Sequence, residues 1–104
     1  MKFAVLERLA LEGILKNYSG SWEDTILADA IHELVKITAD DVKKFEIQTL
    51  PTGQLGWNEK GEKEHLELEF SDKEKEIIKA RFTEIGEQKK ATRDLIKAYK
   101  KFMD

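Results

Sequence analysis

The side chains that most often carry chemistry are scarce here. Histidine occurs only as His32 and His65, serine only as Ser19, Ser21 and Ser71, and cysteine not at all. His32 follows Asp29 by three residues and precedes Glu33, so a carboxylate can sit beside its imidazole, as a general base or a metal ligand requires. A zinc site, however, needs three or four convergent ligands, and His32-Glu33-Leu34-Val35-Lys36 lacks the second histidine of a zincin helix. His32 is therefore read as a helix-surface residue. The serines lie at helix starts or in loops, where a hydroxyl caps a backbone amide, and none occupies a Gly-x-Ser-x-Gly elbow. Gly53-x-x-Gly56 is a hairpin pattern, without the Lys-Ser/Thr helix of a phosphate loop. Without cysteine there is no thiolate nucleophile, disulfide or zinc–sulfur site. The expectation is a protein that is not an enzyme, with no catalytic residue, cofactor or metal.

Charge and tryptophan are more informative. Glu59, Glu62, Glu64, Glu67 and Glu69 form an acidic pole, with Lys60 and Lys63 as the only cations among them. Carboxylates along a strand can imitate phosphate spacing and so occupy the cationic groove of a nuclease. The plainer reading is the wet side of a half-covered sheet. Lys90, Arg93, Lys97 and Lys101 share one face if the C-terminal segment is helical, with Tyr99 nearby, and that face can meet phosphates. The alternative is a solvated helix whose cations favour its C-terminal end. Trp57 beside a glycine turn is expected to anchor strands on helices. Trp22, in the first turn of a helix, is either core or a partly exposed binding anchor.

Periodicity supplies the elements that position these groups. Phe3, Leu6, Leu9, Ala10, Gly13 and Ile14 recur at helical steps, and Gly13 weakens that helix by about 1 kcal/mol unless it allows close packing. Ser21 with Asp24 starts a second helix, whose Trp22, Ile26, Leu27, Ala30, Ile31, Leu34 and Val35 are expected to face a core. Thr38 and Asp41 start a short third helix carrying Val42 and Phe45. Glu46–Leu50 reads as a strand, Pro51-Thr52-Gly53-Gln54 as a turn, and Leu55–Trp57 as the returning strand. After a polar link over 58–63, His65–Phe70 alternates with Leu66, Leu68 and Phe70 on one face. Ser71 with Glu74 is a full capping box opening a helix through Ile77, Ile78, Phe82 and Ile85, with Gly86 as its stop. A last helix begins near Thr92 and carries Leu95, Ile96, Tyr99 and Phe102.

The fold class that follows is α+β: one mostly helical domain over residues 1–104. About five helices surround a two- or three-stranded antiparallel sheet between the third and fourth helices. The 104 residues are 40% apolar and 38% charged, enough for one core under a densely charged surface, and the net charge of −3 mainly reports solubility. The opening apolar run is too short for a signal peptide or a bilayer span, so the expected location is the cytoplasm of the host cell.

Several segments resemble a family of small phage and prophage proteins. They are Glu7-Arg8-Leu9-x-Leu11-x-Gly13-Ile14-Leu15, Val42-Lys43-Lys44-Phe45-Glu46-Ile47, the Trp57-Asn58 pair, the alternating Glu/Leu strand, and Tyr99-Lys100-Lys101-Phe102. They run in order over nearly the whole chain. The chain departs from the family pattern at Lys16–Trp22 and at Lys100. The resemblance implies a mobile-genetic-element origin and no catalytic residue. Together these readings point to a non-enzymatic phage or prophage accessory protein that binds a host or phage protein, with interference in a host defence nuclease as one concrete form. Trp22, Glu59, Glu62, Glu64, Glu67 and Glu69 are the candidate contact residues. The alternatives are a nucleic-acid-binding regulator using Lys90, Arg93, Lys97 and Lys101, or a self-associating structural or assembly component. No membrane partner is expected.

Overall fold

Three helices begin where a hydroxyl meets an acid three residues on. Ser71 Oγ accepts from the Glu74 amide at 3.2 Å while Glu74 returns a carboxylate to the Ser71 amide at 2.8 Å. Thr38 and Asp41 exchange the same pair of bonds, and Ser21 Oγ accepts from the Asp24 amide at 3.1 Å. Each cap satisfies amides that a helix leaves without partners. The computed structural model describes residues 1–103. Within them the helices are α1 (Val5–Leu15), α2 (Trp22–Val35), α3 (Ala39–Lys44), α4 (Glu59–Lys63), α5 (Asp72–Glu87) and α6 (Ile96–Met103). A 3-10 turn over Arg93–Leu95 leads into α6.

The fold is a mostly helical α+β domain with α1 at its centre, packed against α2, α4, α5 and α6. Leu11, Ile14 and Leu15 of α1 meet Ala28, Ile31 and Val35 of α2 and Ile77, Ile78, Phe82 and Ile85 of α5. At one end Phe3 stacks on Phe102 at 6.1 Å and meets Phe70 edge-on at 5.9 Å. These aromatic residues come from the two ends of the chain and from the segment before α5, so the cluster ties distant segments together. Arg81 donates from Nε to the Ile14 carbonyl at 2.7 Å, fixing α5 to the end of α1.

The antiparallel strands form two short pairs. The strand β2 (Gln48–Thr49) pairs with β3 (Leu55–Gly56), in register Gln48 to Gly56 and Thr49 to Leu55. Their connection follows its residue types: Gly53, at φ 88°, donates to the Leu50 carbonyl at 2.8 Å, with Pro51 next to the start of the turn. The alternating Glu/Leu segment contributes only β4 (Leu66–Glu67), and it does not join that hairpin. It pairs with β1 (Lys2–Phe3), in register Lys2 to Glu67 and Phe3 to Leu66. Two differences from the sequence reading bring this about. The polar link is the helix α4, capped by Asn58 Oδ1 accepting from the Gly61 amide at 3.2 Å, and it separates β4 from the hairpin. Phe3, read as helical, belongs to β1, because α1 starts only after Ala4, whose amide donates to Glu7 Oε1 at 2.9 Å.

Two helix stops were also unmarked by glycine. After α3, Glu46 takes φ 50° and the Ile47 amide returns to the Val42 carbonyl at 3.0 Å. After α5, which runs through Gly86, Lys89 takes φ 56° and the Lys90 amide returns to the Ile85 carbonyl at 3.0 Å. Both are six-to-one closures around a left-handed residue, a position where glycine is the usual occupant.

Candidate protein-binding surface

Helix α2 has two apolar stripes and buries one of them. Ala28, Ile31 and Val35 face the core. Trp22, Ile26, Ala30 and Leu34, spaced four residues apart over roughly 18 Å of helix, face solvent. Trp22 is 85% exposed, Ile26 65% and Leu34 46%. This corrects the expectation that all of these residues face inward. Four-residue spacing fits either side of a wide stripe, and α1 and α5 cover only the side holding Ile31. Fully burying a Leu or Ile side chain gains about 1.5–3 kcal/mol, so the uncovered stripe forgoes several kcal/mol of stabilisation.

Acids border that stripe. Glu23, Asp29 and Glu33 are exposed beside it. Lys36 binds Glu33 at 2.7 Å, and this hydrogen bond, followed by the lysine's charge, holds the Glu33 carboxyl below its ordinary pKa. Asp24, closer to the core, meets Lys73 at 3.6 Å. The surface is a hydrophobic ridge with a negative border.

The other acidic candidates are dispersed by the fold. Glu59 and Glu62 ride on α4, where Glu59 meets Lys63 at 3.4 Å. Glu64 ends that helix and pairs with Lys44 at 3.1 Å. Glu67 and Glu69 converge on the Met1 ammonium, at 3.1 and 3.5 Å. These five carboxylates lie on a helix, its end and a strand segment rather than along one strand, and four of them already face cations.

The basic candidates do not share one helical face, because regular α-helix begins only at Ile96. Lys90 closes the end of α5, and Arg93 opens the 3-10 turn. Lys101 turns inward, pairing at 3.2 Å with the buried Glu7 and lying 5.6 Å from the centre of the Phe3 ring. Lys97 stays exposed on α6, as does Lys100. Beside them Ile96, Tyr99 and Met103 also face solvent. The sequence reading placed Ile96 and Tyr99 on the last helix, with Tyr99 near the basic residues, but did not identify this second apolar face. Their three- and four-residue steps were visible, but that spacing alone does not distinguish an outward face from an inward one.

A cleft of about 530 Å³ lies between α1, the β2–β3 hairpin and the end of α5, and Gly13, Trp57, Arg81 and Lys90 line it. His32 is half-buried at a smaller cleft of about 370 Å³ with Glu12 and Asp29, and His65 is exposed. Among the described residues no three His, Asp or Glu side chains gather to hold a metal ion, and no helix is long and apolar enough to cross a membrane.

The resemblance segments have structural work in this fold. Asn58 Nδ2 donates to the Lys44 carbonyl and to Glu46 Oε2, both at 3.1 Å, and its amide donates to the Phe45 carbonyl at 2.8 Å. Asn58, directly after the hairpin, therefore ties that segment to the end of α3. Comparison of the chain with protein-family models, curated proteins and solved structures finds no match.

Proposed function

We propose that this chain is a non-enzymatic phage or prophage accessory protein that acts in the host cytoplasm by binding another protein. The single observation that carries the binding reading is the uncovered Trp22–Ile26–Ala30–Leu34 ridge. A tryptophan flanked by aliphatic residues on a rigid helix is the composition of a binding hot spot. The mobile-element origin is supported by the sequence resemblance alone. Interference with a host defence nuclease is one form of this function, in which the exposed Glu59 and Glu62 and the acids around the ridge meet a cationic surface. The nucleic-acid reading has less support, since Lys101 is engaged by Glu7 and the four basic candidates do not share one helical face.

The test is capture on the immobilised chain from nuclease-treated host lysate, read by mass spectrometry. One stoichiometric protein is expected, retained after nuclease treatment and lost with Trp22→Ala or Ile26→Asp. If every captured protein depends on nucleic acid, or if the ridge variants capture as well as the parent chain, the proposal fails.

A further inference from the structure

We infer that the ridge on α2 receives α6 of a second copy of this chain, joining copies head to tail. The inference rests on the reading of α2 as the binding surface and names an occupant for it. The outward face of α6 is the chemical complement of that ridge. Ile96, Tyr99 and Met103 lie three and four residues apart, exposed, with Lys97 and Lys100 beside them. Among the described residues neither lysine enters an ion pair. Apolar residues thus meet apolar residues, and the two lysines meet the border formed by Glu23, Asp29 and Glu33.

Sign of charge selects this pairing over the symmetric ones. Two α2 faces would bring Glu23, Asp29 and Glu33 against the same acids, and two α6 faces would bring lysine against lysine. Geometry agrees. The ridge on α2 is a four-residue row, and Tyr99 and Met103 on α6 are likewise four residues apart and exposed, so the two rows can interdigitate as ridges of packed helices do. Within one chain both helices pack through their other sides onto α1 and α5. The contact is consequently made between molecules. It is heterologous, so each added copy leaves one α2 face and one α6 face open, and growth gives a ring or an open chain. Because α6 has only eight residues, each contact is smaller than a standard interface, and association depends on concentration.

Sedimentation velocity of the purified full chain across a concentration series, in low and high salt, tests this. Two variants accompany it: Trp22→Glu with Ile26→Glu, and Lys97→Glu with Lys100→Glu. Far-ultraviolet circular dichroism verifies that both fold. The parent chain is expected to gain mass with concentration and to lose it in high salt. Each variant alone should associate at least about 30-fold more weakly. The equimolar mixture should form a dimer and nothing larger, since one variant keeps an intact α6 face and the other an intact α2 face. A parent chain that stays monomeric throughout overturns the inference. So does either variant that associates alone as strongly as the parent chain, because that behaviour belongs to a symmetric contact through the face that variant keeps, and so does a mixture that stays monomeric while the parent chain associates. If the chain is monomeric yet captures a nuclease-resistant partner through Trp22, the inference fails and the binding role of α2 stands. If Trp22-dependent capture is also absent, both fail.

Discussion

Arg8 Nη2 lies 2.8 Å from Asp41 Oδ2, and this pair links the central helix to the end of α2 and the start of α3. Arg8 is buried; its Nε donates to the Val35 carbonyl at 3.2 Å, and the same Nη2 donates to the Lys36 carbonyl at 2.9 Å. Those carbonyls belong to the last turn of α2, where a cation is favoured by the helix dipole. One guanidinium therefore satisfies a helix end and neutralises the carboxylate that caps the next helix. The same contact holds α2 against α1 so that Trp22, Ile26 and Leu34 are turned outward. Removing the cation leaves Asp41 and two carbonyls with fewer partners, a loss of about 3 kcal/mol. Urea denaturation of Arg8→Met should give that loss with an unchanged slope. A loss below about 1 kcal/mol would mean that water replaces the guanidinium.

The acid dependence of stability should carry the signature of the same pair. Partial burial opposes ionisation of Asp41, but hydrogen bonds from Arg8 and from the Thr38 amide and hydroxyl, with the charge of Arg8, outweigh it. They hold the carboxyl below its ordinary pKa. In the unfolded chain the same group titrates near about 3.9. Its contribution is thus fully present above that value and is lost as pH falls through the lower, folded value. Stability measured from neutral pH downward should fall more steeply for the parent chain than for Asp41→Asn, with the difference confined to the acid limb. Parallel curves would remove Asp41 from the account.

Local chemistry was legible where one residue type answers one backbone need. Ser21, Thr38 and Ser71 mark their helix starts because an acid three residues on completes or supports the cap. Pro51 and Gly53 mark the hairpin for similar reasons. What was not legible depends on neighbours that local spacing does not specify. The strand containing Leu66 is equally suited to pairing with the hairpin or with Lys2–Phe3, and α4 decides between them. Glu46 and Lys89 stop helices in a conformation that usually signals itself by glycine. Trp22 was singled out as a contact residue, but the ridge around it was assigned to the core. A stripe of Trp, Ile, Ala and Leu looks the same whether or not a helix covers it. The charged candidates were recognised as poles, yet the ion pairs of Glu64, Glu67, Glu69 and Lys101 come from residues distant in sequence.

Gly13 and Gly61 should respond to alanine in opposite directions. A Cβ on Gly13 meets nothing within 4 Å, so no close packing explains a glycine in the middle of α1. Its replacement should stabilise the helix by about 0.5–1 kcal/mol and raise the melting temperature by roughly 4 °C. A Cβ on Gly61 would lie 2.6 Å from Trp57 Cδ1 and 3.2 Å from Val5 Cγ2. The indole must shift to admit it, at a cost of about 1–3 kcal/mol. Paired thermal melts of Gly13→Ala and Gly61→Ala check both. A destabilised Gly13→Ala would mean that something other than open solvent occupies the cleft beside α1.

The two tryptophans should separate cleanly by spectroscopy and by stability. Trp22 is almost fully in water, whereas Trp57 is half-buried beside Gly61 and the hairpin. Removing Trp22 forfeits little packing, so Trp22→Ala should change unfolding free energy by less than about 0.5 kcal/mol. Trp57→Ala, which empties the joint between hairpin and α4, should cost about 3 kcal/mol. In the folded parent chain, iodide should quench the Trp22 emission, and Trp22→Ala should leave a blue-shifted, poorly quenched signal from Trp57. A complex formed through α2 should protect Trp22 from iodide and leave Trp57 unchanged. If Trp22→Ala unfolds the chain, the indole belongs to the stabilising core and the exposed ridge loses its anchor.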